Sequence, residues 1–366
     1  MVHMEEVKQY KRIVYITRLS AIGDVIIASN GIYNFIENGY FPVFITSQDT
    51  LDIALRIKKL EAFICYQKEK QPNYYINGNE VDSLTFFNYL ANITTTKSPI
   101  YIDLQHTNRS KRVYSYLRNK LKLNFDKKYT ISKFTFYRIF LVIIAFFSFK
   151  QKRNEKKIKY TRIKNIQKNL IQKIILNDHE KFIDTFDMPP FKQATHYFPD
   201  SMKYICLFPG ASSFIKMWPK ENFRDLISAL KEDPELHIVI CGSKNEVFLG
   251  EYLDFPQSKN VINLIHKTKL SETLNIIAYA KYIVTNDSFA AHAADNYNIP
   301  GSVFFGSTSP KFGFVPSSKD IKIEYLNLNC SPCSRHGKNA CRYMNLKCLK
   351  EIKSDAILQQ IFNKLN

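Results

Sequence analysis

The segment Arg12-Ile-Val-Tyr-Ile-Thr17, which runs directly into Arg18-Leu-Ser-Ala-Ile-Gly23-Asp24, decides the interpretation of the fold. β-Branched and aromatic residues dominate its first half, which predicts a buried strand. Apolar residues then recur at helical spacing and predict a helix after the turn, at Val25, Ile26, Ile32, Phe35 and Ile36. A strand, a glycine-containing loop and a helix form the repeating unit of a doubly wound α/β domain.

The same unit recurs along the chain. Strands are predicted in the first half at Val43–Thr46 and Ile100–Leu104. A second series has predicted strands at Tyr204–Phe208, His237–Cys241, Val261–Leu264, Tyr282–Thr285 and Ser302–Phe305. We therefore predict an α/β protein with two Rossmann-like doubly wound parallel-sheet domains that face a central cleft.

Length and composition agree with two domains. The chain has 366 residues, of which 45% are hydrophobic, enough for two buried cores. We place the boundary near Met188-Pro189-Pro190, which gives domains of residues 1–188 and 189–366. The carboxyl-terminal helix, roughly Ser354 to Leu365, is expected to pack back across the domains.

The chain is strongly basic. Its 52 Lys and Arg residues outnumber 33 Asp and Glu residues, giving a formal net charge of +19, which favours nucleic acid, an anionic membrane or a phosphorylated substrate. Residues 150–173 contain ten Lys or Arg residues and a single acidic residue, Glu155, and a second basic run extends from Arg109 to Lys128. A solvated basic helix face is the alternative interpretation of these runs.

The sequence also bears on location. Residues Met1 to Arg12 are polar and charged, without a signal peptide, so we expect a cytoplasmic protein. The longest apolar run, Ile139–Phe149, is shorter than the ~18–20 residues that cross a bilayer. Two interpretations remain for this run: a buried helix, or a helix that lies in a membrane interface beside the basic run.

Four of the seven cysteines are close together in sequence, as Cys330-x2-Cys333-x7-Cys341-x6-Cys348. Thiolates two residues apart can bind one tetrahedral metal ion. Free, partly buried thiols are the alternative, and disulfides are less expected in a reducing cytosol.

Loops after strands are where α/β domains bind ligands. The sequence lacks the GxGxxG, GxxxxGK[ST] and HExxH motifs, which argues against dinucleotide oxidoreductases, P-loop NTPases and zinc hydrolases. In the first loop, Ser20 and Gly23 allow the backbone to approach an acceptor or a phosphate. Asp24 is either a general base for a sugar hydroxyl or a carboxylate that interacts with the helix dipole.

Two loops of the second half suit a diphosphate. Pro209-Gly-Ala-Ser-Ser213 exposes backbone N–H groups and precedes Lys216-Met-Trp-Pro219, whose lysine can neutralise phosphate charge. Asn286-Asp287-Ser288, followed by His292, joins a strand to a helix whose amino terminus can bind phosphate oxygens. Each loop alone also fits an ordinary capped helix, but together they favour a diphosphate-binding site.

These motifs stand in a specific order. Leu19-Ser-Ala-Ile-Gly-Asp-Val25, Pro209-Gly-Ala-Ser with Lys216-Met-Trp-Pro219, Gly242-Ser-Lys-Asn-Glu246 and Asn286-Asp-Ser288 with His292 resemble the motif series of the ADP-heptose:lipopolysaccharide heptosyltransferases, glycosyltransferase family 9. The resemblance extends from about residue 12 to the Cys-rich tail. It implies the two-domain GT-B fold and inversion at the anomeric carbon.

The resemblance also implies residue roles. Asp24 matches the catalytic carboxylate, and Lys216 matches the cation that faces the donor phosphates. Among the donor-binding positions, Ser212 and Ser288 match the phosphate loops, and Glu246 matches the acid that binds the ribose. Leu270 matches the adenine contact, Asp287 the acid of the donor loop and His292 the motif histidine. One departure is Phe289, where the family usually has glycine, and its bulky side chain is expected to reshape the donor pocket.

The implied partners are an ADP-heptose donor, an anionic lipid-linked saccharide acceptor and the inner-membrane surface, with no cofactor and no catalytic metal. Another nucleotide-sugar transferase, acting on protein or O-chain sugars, is one alternative. A non-catalytic nucleic-acid-binding protein of the same fold is the other. The second is less expected because the basic residues avoid the glycine-containing loops and form no aromatic-and-basic binding surface.

Overall fold

The computed structural model describes residues 9–68, 70–131, 135–148, 151–153, 161–337 and 340–365. The contacts within the chain define two compact units, Met1–Lys133 with Lys164–Lys192 and Phe134–Ile163 with Gln193–Asn366. Each unit is built around its own, mainly parallel sheet.

The first unit has a seven-stranded sheet in the order β5-β4-β3-β2-β1-β6-β7. Its strands are β1 (Gln9–Thr17), β2 (Phe41–Thr46), β3 (Ala62–Cys65), β4 (Asn73–Ile76), β5 (Asn79–Val81), β6 (Thr94–Asp103) and β7 (Lys128–Thr130). Its helices are α1 (Ile22–Glu37), α2 (Leu51–Arg56), α3 (Ser83–Ala91), α4 (Asn108–Asn119) and α6 (Ile163–Asn177). All strand pairs are parallel except β3 with β4 and β4 with β5.

The second unit has a six-stranded sheet in the order β10-β9-β8-β11-β12-β13, and all its pairs are parallel. Its strands are β8 (Lys203–Phe208), β9 (Leu236–Ile240), β10 (Val261–Asn263), β11 (Tyr282–Asn286), β12 (Gly301–Phe304) and β13 (Ile321–Glu324). Its helices are α5 (Thr135–Phe146), α7 (Lys220–Leu230), α8 (Val247–Tyr252), α9 (Leu270–Tyr279), α10 (Phe289–Tyr297), α11 (Lys347–Lys350) and α12 (Ser354–Leu365).

The central strands are buried on both faces, as their apolar sequences require. Val14, Val43 and Ile100 are fully buried in the first unit, and Ile205 and Val284 are fully buried in the second. Parallel strands covered by helices on both sides have such continuous apolar runs. The predicted α/β class with two doubly wound sheets is confirmed.

Each sheet has one point at which the strand order reverses. It lies between β1 and β6 in the first unit and between β8 and β11 in the second. The loops that leave two such strands diverge to opposite faces of the sheet and leave a crevice, which is where open α/β sheets bind ligands. The predicted site residues Asp24, Lys216, Asp287 and Ser288 belong to loops or helix starts that follow three of these strands, β1, β8 and β11.

The contacts differ from the predicted boundary in two segments, of which the shorter, residues 189–192, groups with the first unit. Residues 134–163, which the sequence analysis assigned to the first domain, group with the second unit. The guanidinium of Arg138 lies 4.9 Å from the ring centre of Phe312, and Asn329 donates a backbone hydrogen bond to Lys152. These contacts attach α5 and the residues after it to the carboxyl-terminal half.

The apolar residues of α5 are not a core element. Phe140 is 56% exposed, Ile143 48% and Phe147 66%, which removes the interpretation as a buried helix. None of the described helices combines the length and apolar character needed to cross a bilayer. Of the basic run at 150–173, residues 150 and 154–160 lie outside the described residues.

Candidate active site

In the first unit, Asp24 is held by a buried arginine. Its Oδ2 forms an ion pair with Arg18, whose side chain is only 4% exposed and also donates to the Leu104 carbonyl oxygen. Burial lowers the pKa of Arg18 to about 10, and the charge of Asp103 opposes that shift. Arg18 therefore remains a cation at neutral pH and forms a charged pair with Asp24.

The Asp24 loop is fastened to the loop after β6. Gln105 Oε1 accepts hydrogen bonds from the backbone N–H groups of Leu19 (2.7 Å) and Ser20 (3.2 Å). Asp103 in turn accepts from the backbone N–H of Gln105 at 2.9 Å. The loop that contains Ser20 and Gly23 is thus fixed in place, with Asp24 half-buried at the first turn of α1.

In the second unit, Lys216 and Asp287 form a direct ion pair across the reversal point. Lys216 Nζ lies 2.9 Å from Asp287 Oδ2, and the two side chains are only 12% and 17% exposed. Thr308 Oγ1 donates to the same carboxylate oxygen at 2.8 Å. The predicted phosphate-facing cation and the predicted donor-loop acid are therefore brought together, and the acid orients the cation.

Asn286 joins the two loops that carry this pair. Its Nδ2 donates to the carbonyl oxygens of Pro209 (2.8 Å) and Gly210 (3.1 Å), and its Oδ1 accepts from the backbone N–H of Trp218 (2.8 Å). Asn286 is fully buried. The motif predicts no role for Asn286, although an amide side chain at the end of a central strand is a signal for a residue that joins two loops.

Glu246 lies against the glycine of the first phosphate loop. A side-chain carbon on Gly210 would come within 2.1 Å of the Glu246 carboxylate, so glycine is needed for this close approach. Gly242 leaves similar room, because its added carbon would lie 2.9 Å from Glu246 Oε2. The predicted ribose-binding acid is thus positioned beside the Pro209–Ser213 loop.

The start of α10 has the expected cap. Ser288 is its N-cap residue and accepts a hydrogen bond from the backbone N–H of Ala290 at 3.3 Å. His292, one turn later, is buried at 7% exposure. Phe289 packs edge-on against Phe208 with ring centres 6.0 Å apart, so the bulky replacement for glycine is accommodated by an aromatic contact at the end of β8.

Two predicted donor contacts are on the surface of their elements. Ser212 is exposed in the loop after β8, and Leu270 is half-buried at the first position of α9. The donor-binding roles of Ser212 and Leu270 remain predictions. Asp24 lies in the first unit and Lys216 in the second.

The Cys-rich tail contributes to the setting of Lys216. Gly337 has a left-handed backbone (φ +78), and an added side-chain carbon would lie 2.6 Å from Lys216 Cδ.

Cys330, Cys333, Cys341 and Cys348 are free thiols. Within the described part of the chain, which omits residues 338–339, no group of three or more ligand side chains is arranged to hold a metal ion. Burial raises the pKa of Cys333 to about 11 and that of Cys348 to about 12.

Sequence comparison identifies relatives of one kind. The family model "Glycosyltransferase family 9 (heptosyltransferase)" matches residues 144–344. Lipooligosaccharide heptosyltransferase 2 of Campylobacter jejuni is 26% identical over 162 residues, which are 43% of this chain and 50% of the relative. Lipopolysaccharide heptosyltransferase 2 of Escherichia coli is 33% identical over 109 residues, 28% of this chain and 31% of that protein. The chain therefore spans about half, or less, of the length of the curated relatives it matches.

Solved structures show the same fold over nearly the whole chain. The E. coli heptosyltransferase WaaC with ADP superposes with a TM-score of 0.62 at 17% identity, covering 96% of this chain and 99% of that one. A family 9 glycosyl transferase from Veillonella parvula superposes with a TM-score of 0.63 at 17% identity and covers 98% of both chains. At these identities the likeness establishes the GT-B fold.

Proposed function

The chain belongs to glycosyltransferase family 9, and from this we propose that it transfers a heptose from ADP-heptose to a saccharide acceptor of lipopolysaccharide, with inversion at the anomeric carbon. The observation that carries the proposal is the Lys216–Asp287 ion pair at the strand-order reversal of the second sheet. Half-buried charges are retained at such a position when a ligand needs them, because their desolvation is costly. The ammonium of Lys216 has N–H donors besides the one that faces Asp287, and these can bind a diphosphate.

The donor side of the proposal rests on the second unit. Lys216 Nζ, the backbone N–H groups after Pro209 and the capped start of α10 at Ser288 provide positive charge for the diphosphate. As ADP departs, negative charge grows on its phosphate oxygens, and a preoriented cation stabilises it by about 2–4 kcal/mol, as single oxyanion donors do. Glu246 would bind the ribose hydroxyls and Leu270 would pack against the adenine.

The acceptor side rests on Asp24. A general base must be ionised before it can take the proton of the attacking hydroxyl. The ion pair with Arg18 fixes the carboxylate at the first turn of α1. We assign Asp24 the role of general base in a single displacement at the anomeric carbon.

We further propose that the protein attaches peripherally to the cytoplasmic face of the inner membrane, where an anionic lipid-linked acceptor would be found. The support is α5, which exposes Phe136 (88%), Phe140 and Phe146 to solvent and is followed in sequence by the exposed Lys152 and Arg153. Exposed apolar residues next to basic residues suit an anionic interface.

The function is tested by incubating the protein with a panel of nucleotide sugars and a lipopolysaccharide-core acceptor, and reading the product mass. A gain of one heptose from ADP-heptose supports the proposal. Transfer of a different sugar would identify another nucleotide-sugar transferase. Thermal stabilisation by nucleic acid, without stabilisation by ADP or ADP-sugars, would instead support the non-catalytic alternative.

A further inference from the structure

Arg138 is the one charged residue within the otherwise apolar and aromatic run from Phe136 to Phe147. While its neighbours Phe136 and Phe140 are exposed, Arg138 is 7% exposed and points into the second unit. Its guanidinium lies 4.9 Å from the ring centre of Phe312 and 5.1 Å from that of Phe314. The helix therefore turns a single cation inward.

The hydrogen bonding of this cation is incomplete. Arg138 Nη2 donates to the backbone carbonyl of Arg335 at 3.1 Å. Its buried Nε has no hydrogen-bond partner within the part of the chain that the structure describes. A buried guanidinium with an unused donor is costly unless a ligand completes it. Stacking on the two phenylalanine rings accounts for the position of the group, but it does not satisfy Nε.

The surroundings of Arg138 connect it to the Lys216–Asp287 pair. Burial and the charge of Arg335 lower the pKa of Arg138 to about 10, while the negative charge of Asp287 opposes the shift. The turn from Ser334 to Gly337 contacts both cations: the Arg335 carbonyl accepts a hydrogen bond from Arg138, and Gly337 packs against the Lys216 side chain. Thr308, two residues before the short helix Pro310–Phe312, contacts Asp287.

We propose that Arg138 is a second phosphate-binding cation of the donor site, which acts with Lys216 on the diphosphate of the nucleotide sugar. Lys216 is paired with the Asp287 carboxylate and Arg138 lies within its electrostatic range, so these two cations carry one more charge than Asp287 balances, and an anion would balance it. The planar guanidinium presents Nε and a terminal nitrogen to two oxygens of one phosphate, a geometry that lysine lacks. This inference rests on the proposed donor.

The test compares Arg138→Met, Arg138→Lys and wild type for binding of ADP, adenosine and inorganic pyrophosphate by calorimetry. Arg138→Met should weaken ADP and pyrophosphate roughly 10- to 100-fold, the usual range for a hydrogen bond to a charged group, while adenosine binding stays unchanged. The affinity of Arg138→Lys for ADP and pyrophosphate should fall between those of Arg138→Met and wild type, because lysine keeps the charge but loses the bidentate geometry of the guanidinium. Arg112→Met, which removes an exposed charge in α4, is the matched control and should bind as wild type does.

The outcomes separate this inference from the proposed function. Equal ADP affinity in folded Arg138→Met and wild type, with folding checked by near-ultraviolet circular dichroism, overturns the role of Arg138 and leaves the donor assignment standing. If wild type binds pyrophosphate in an Arg138-dependent way but does not bind ADP, the donor assignment fails and the anion role of Arg138 holds. If Arg138→Met does not fold, the Arg138→Lys comparison decides, and equal affinity there counts against the fork geometry we propose.

Discussion

The Asp24 carboxylate is paired with the buried cation Arg18, and substitution of Asp24 tests its role as the general base. In Asp24→Asn the amide keeps the shape but cannot accept a proton, so turnover should fall about 100-fold or more. ADP affinity should stay nearly unchanged, because Asp24 belongs to the first unit and the predicted donor contacts to the second. Steady-state turnover and ADP calorimetry measure the two effects.

Asp49→Asn is the control for this substitution, since Asp49 is an exposed carboxylate after β2 in the same unit. It should retain full turnover. More than about a tenth of wild-type turnover in Asp24→Asn would remove Asp24 from the role of base, because general-base contributions are typically ~100-fold or larger.

Lys216 should affect the donor and not the acceptor. Lys216→Met removes the ammonium that Asp287 orients and leaves the Asp287 carboxylate with Thr308 as its remaining partner among those described above. The KM for the nucleotide sugar should rise and kcat should fall, while the KM for the acceptor is unchanged. Lys244→Met, an exposed lysine of the neighbouring loop, should behave as wild type. Unchanged donor kinetics in Lys216→Met would contradict the assignment.

At the scale of strands and helices, the sequence was most informative where burial is complete. Tyr204–Phe208 was predicted and Lys203–Phe208 observed, because a parallel strand covered on both faces is a continuous apolar run. The β4–β5 hairpin was not predicted, although Asn77-Gly78 between the two strands is a typical hairpin turn, and both residues have positive φ (52 and 87).

The contacts between loops could be predicted from the sequence only in part. Motif order placed Lys216 and Asp287 in one site, and the structure brings them into contact. The bonds of Asn286 to Pro209 and the inward turn of Arg138 depend on residues about 77 and 197 positions away in sequence. No local pattern encodes such pairings, so these two residues required the structure.

The contact between the loops after β8 and β9 gives a prediction at this scale. In Gly210→Ala the new methyl group would occupy the position of the Glu246 carboxylate and displace that flexible side chain. ADP affinity should fall about tenfold, as for loss of one charged hydrogen bond, with little change in the free energy of unfolding. Glu246→Ala should lose about as much ADP affinity as Gly210→Ala.

The double variant Gly210→Ala/Glu246→Ala distinguishes this mechanism from two independent effects. If glycine acts by leaving room for Glu246, the double variant should bind ADP no more weakly than Glu246→Ala alone, since there is no carboxylate left to displace. Fully additive losses in calorimetry would mean that Gly210 contributes by another route, such as its own backbone contact with phosphate.

At the scale of the whole molecule, the excess of positive charge is divided between two uses. Arg18 is buried in the first unit, and in the second unit Arg138 is buried and Lys216 half-buried; each of the three has a carboxylate in contact or within electrostatic range. Most of the remaining Lys and Arg residues named here are exposed, including Lys152 and Arg153 after α5. Composition gave the sign of the partner's charge but could not separate substrate from membrane.

The exposed charges give the last prediction. Replacing Lys152, Arg153, Lys156 and Lys157 with Gln should release the protein from anionic liposomes, although the last two lie outside the described residues. Each basic residue near an anionic surface contributes about 1 kcal/mol, so the loss of four corresponds to roughly a thousandfold weaker partitioning.

A control variant changes four exposed lysines elsewhere to Gln, namely Lys244, Lys259, Lys319 and Lys350. The control should sediment with vesicles as wild type does, and raised salt should mimic the first variant because the attraction is screened within a Debye length. Turnover on a soluble acceptor fragment should be unchanged in the first variant, since none of its four residues belongs to the proposed donor or base machinery. Equal sedimentation of that variant and wild type, or binding insensitive to salt, would mean that the basic run is only a solvated surface. Ser substitutions at Phe140 and Phe147 would then show whether the apolar residues of α5 provide the attachment by themselves.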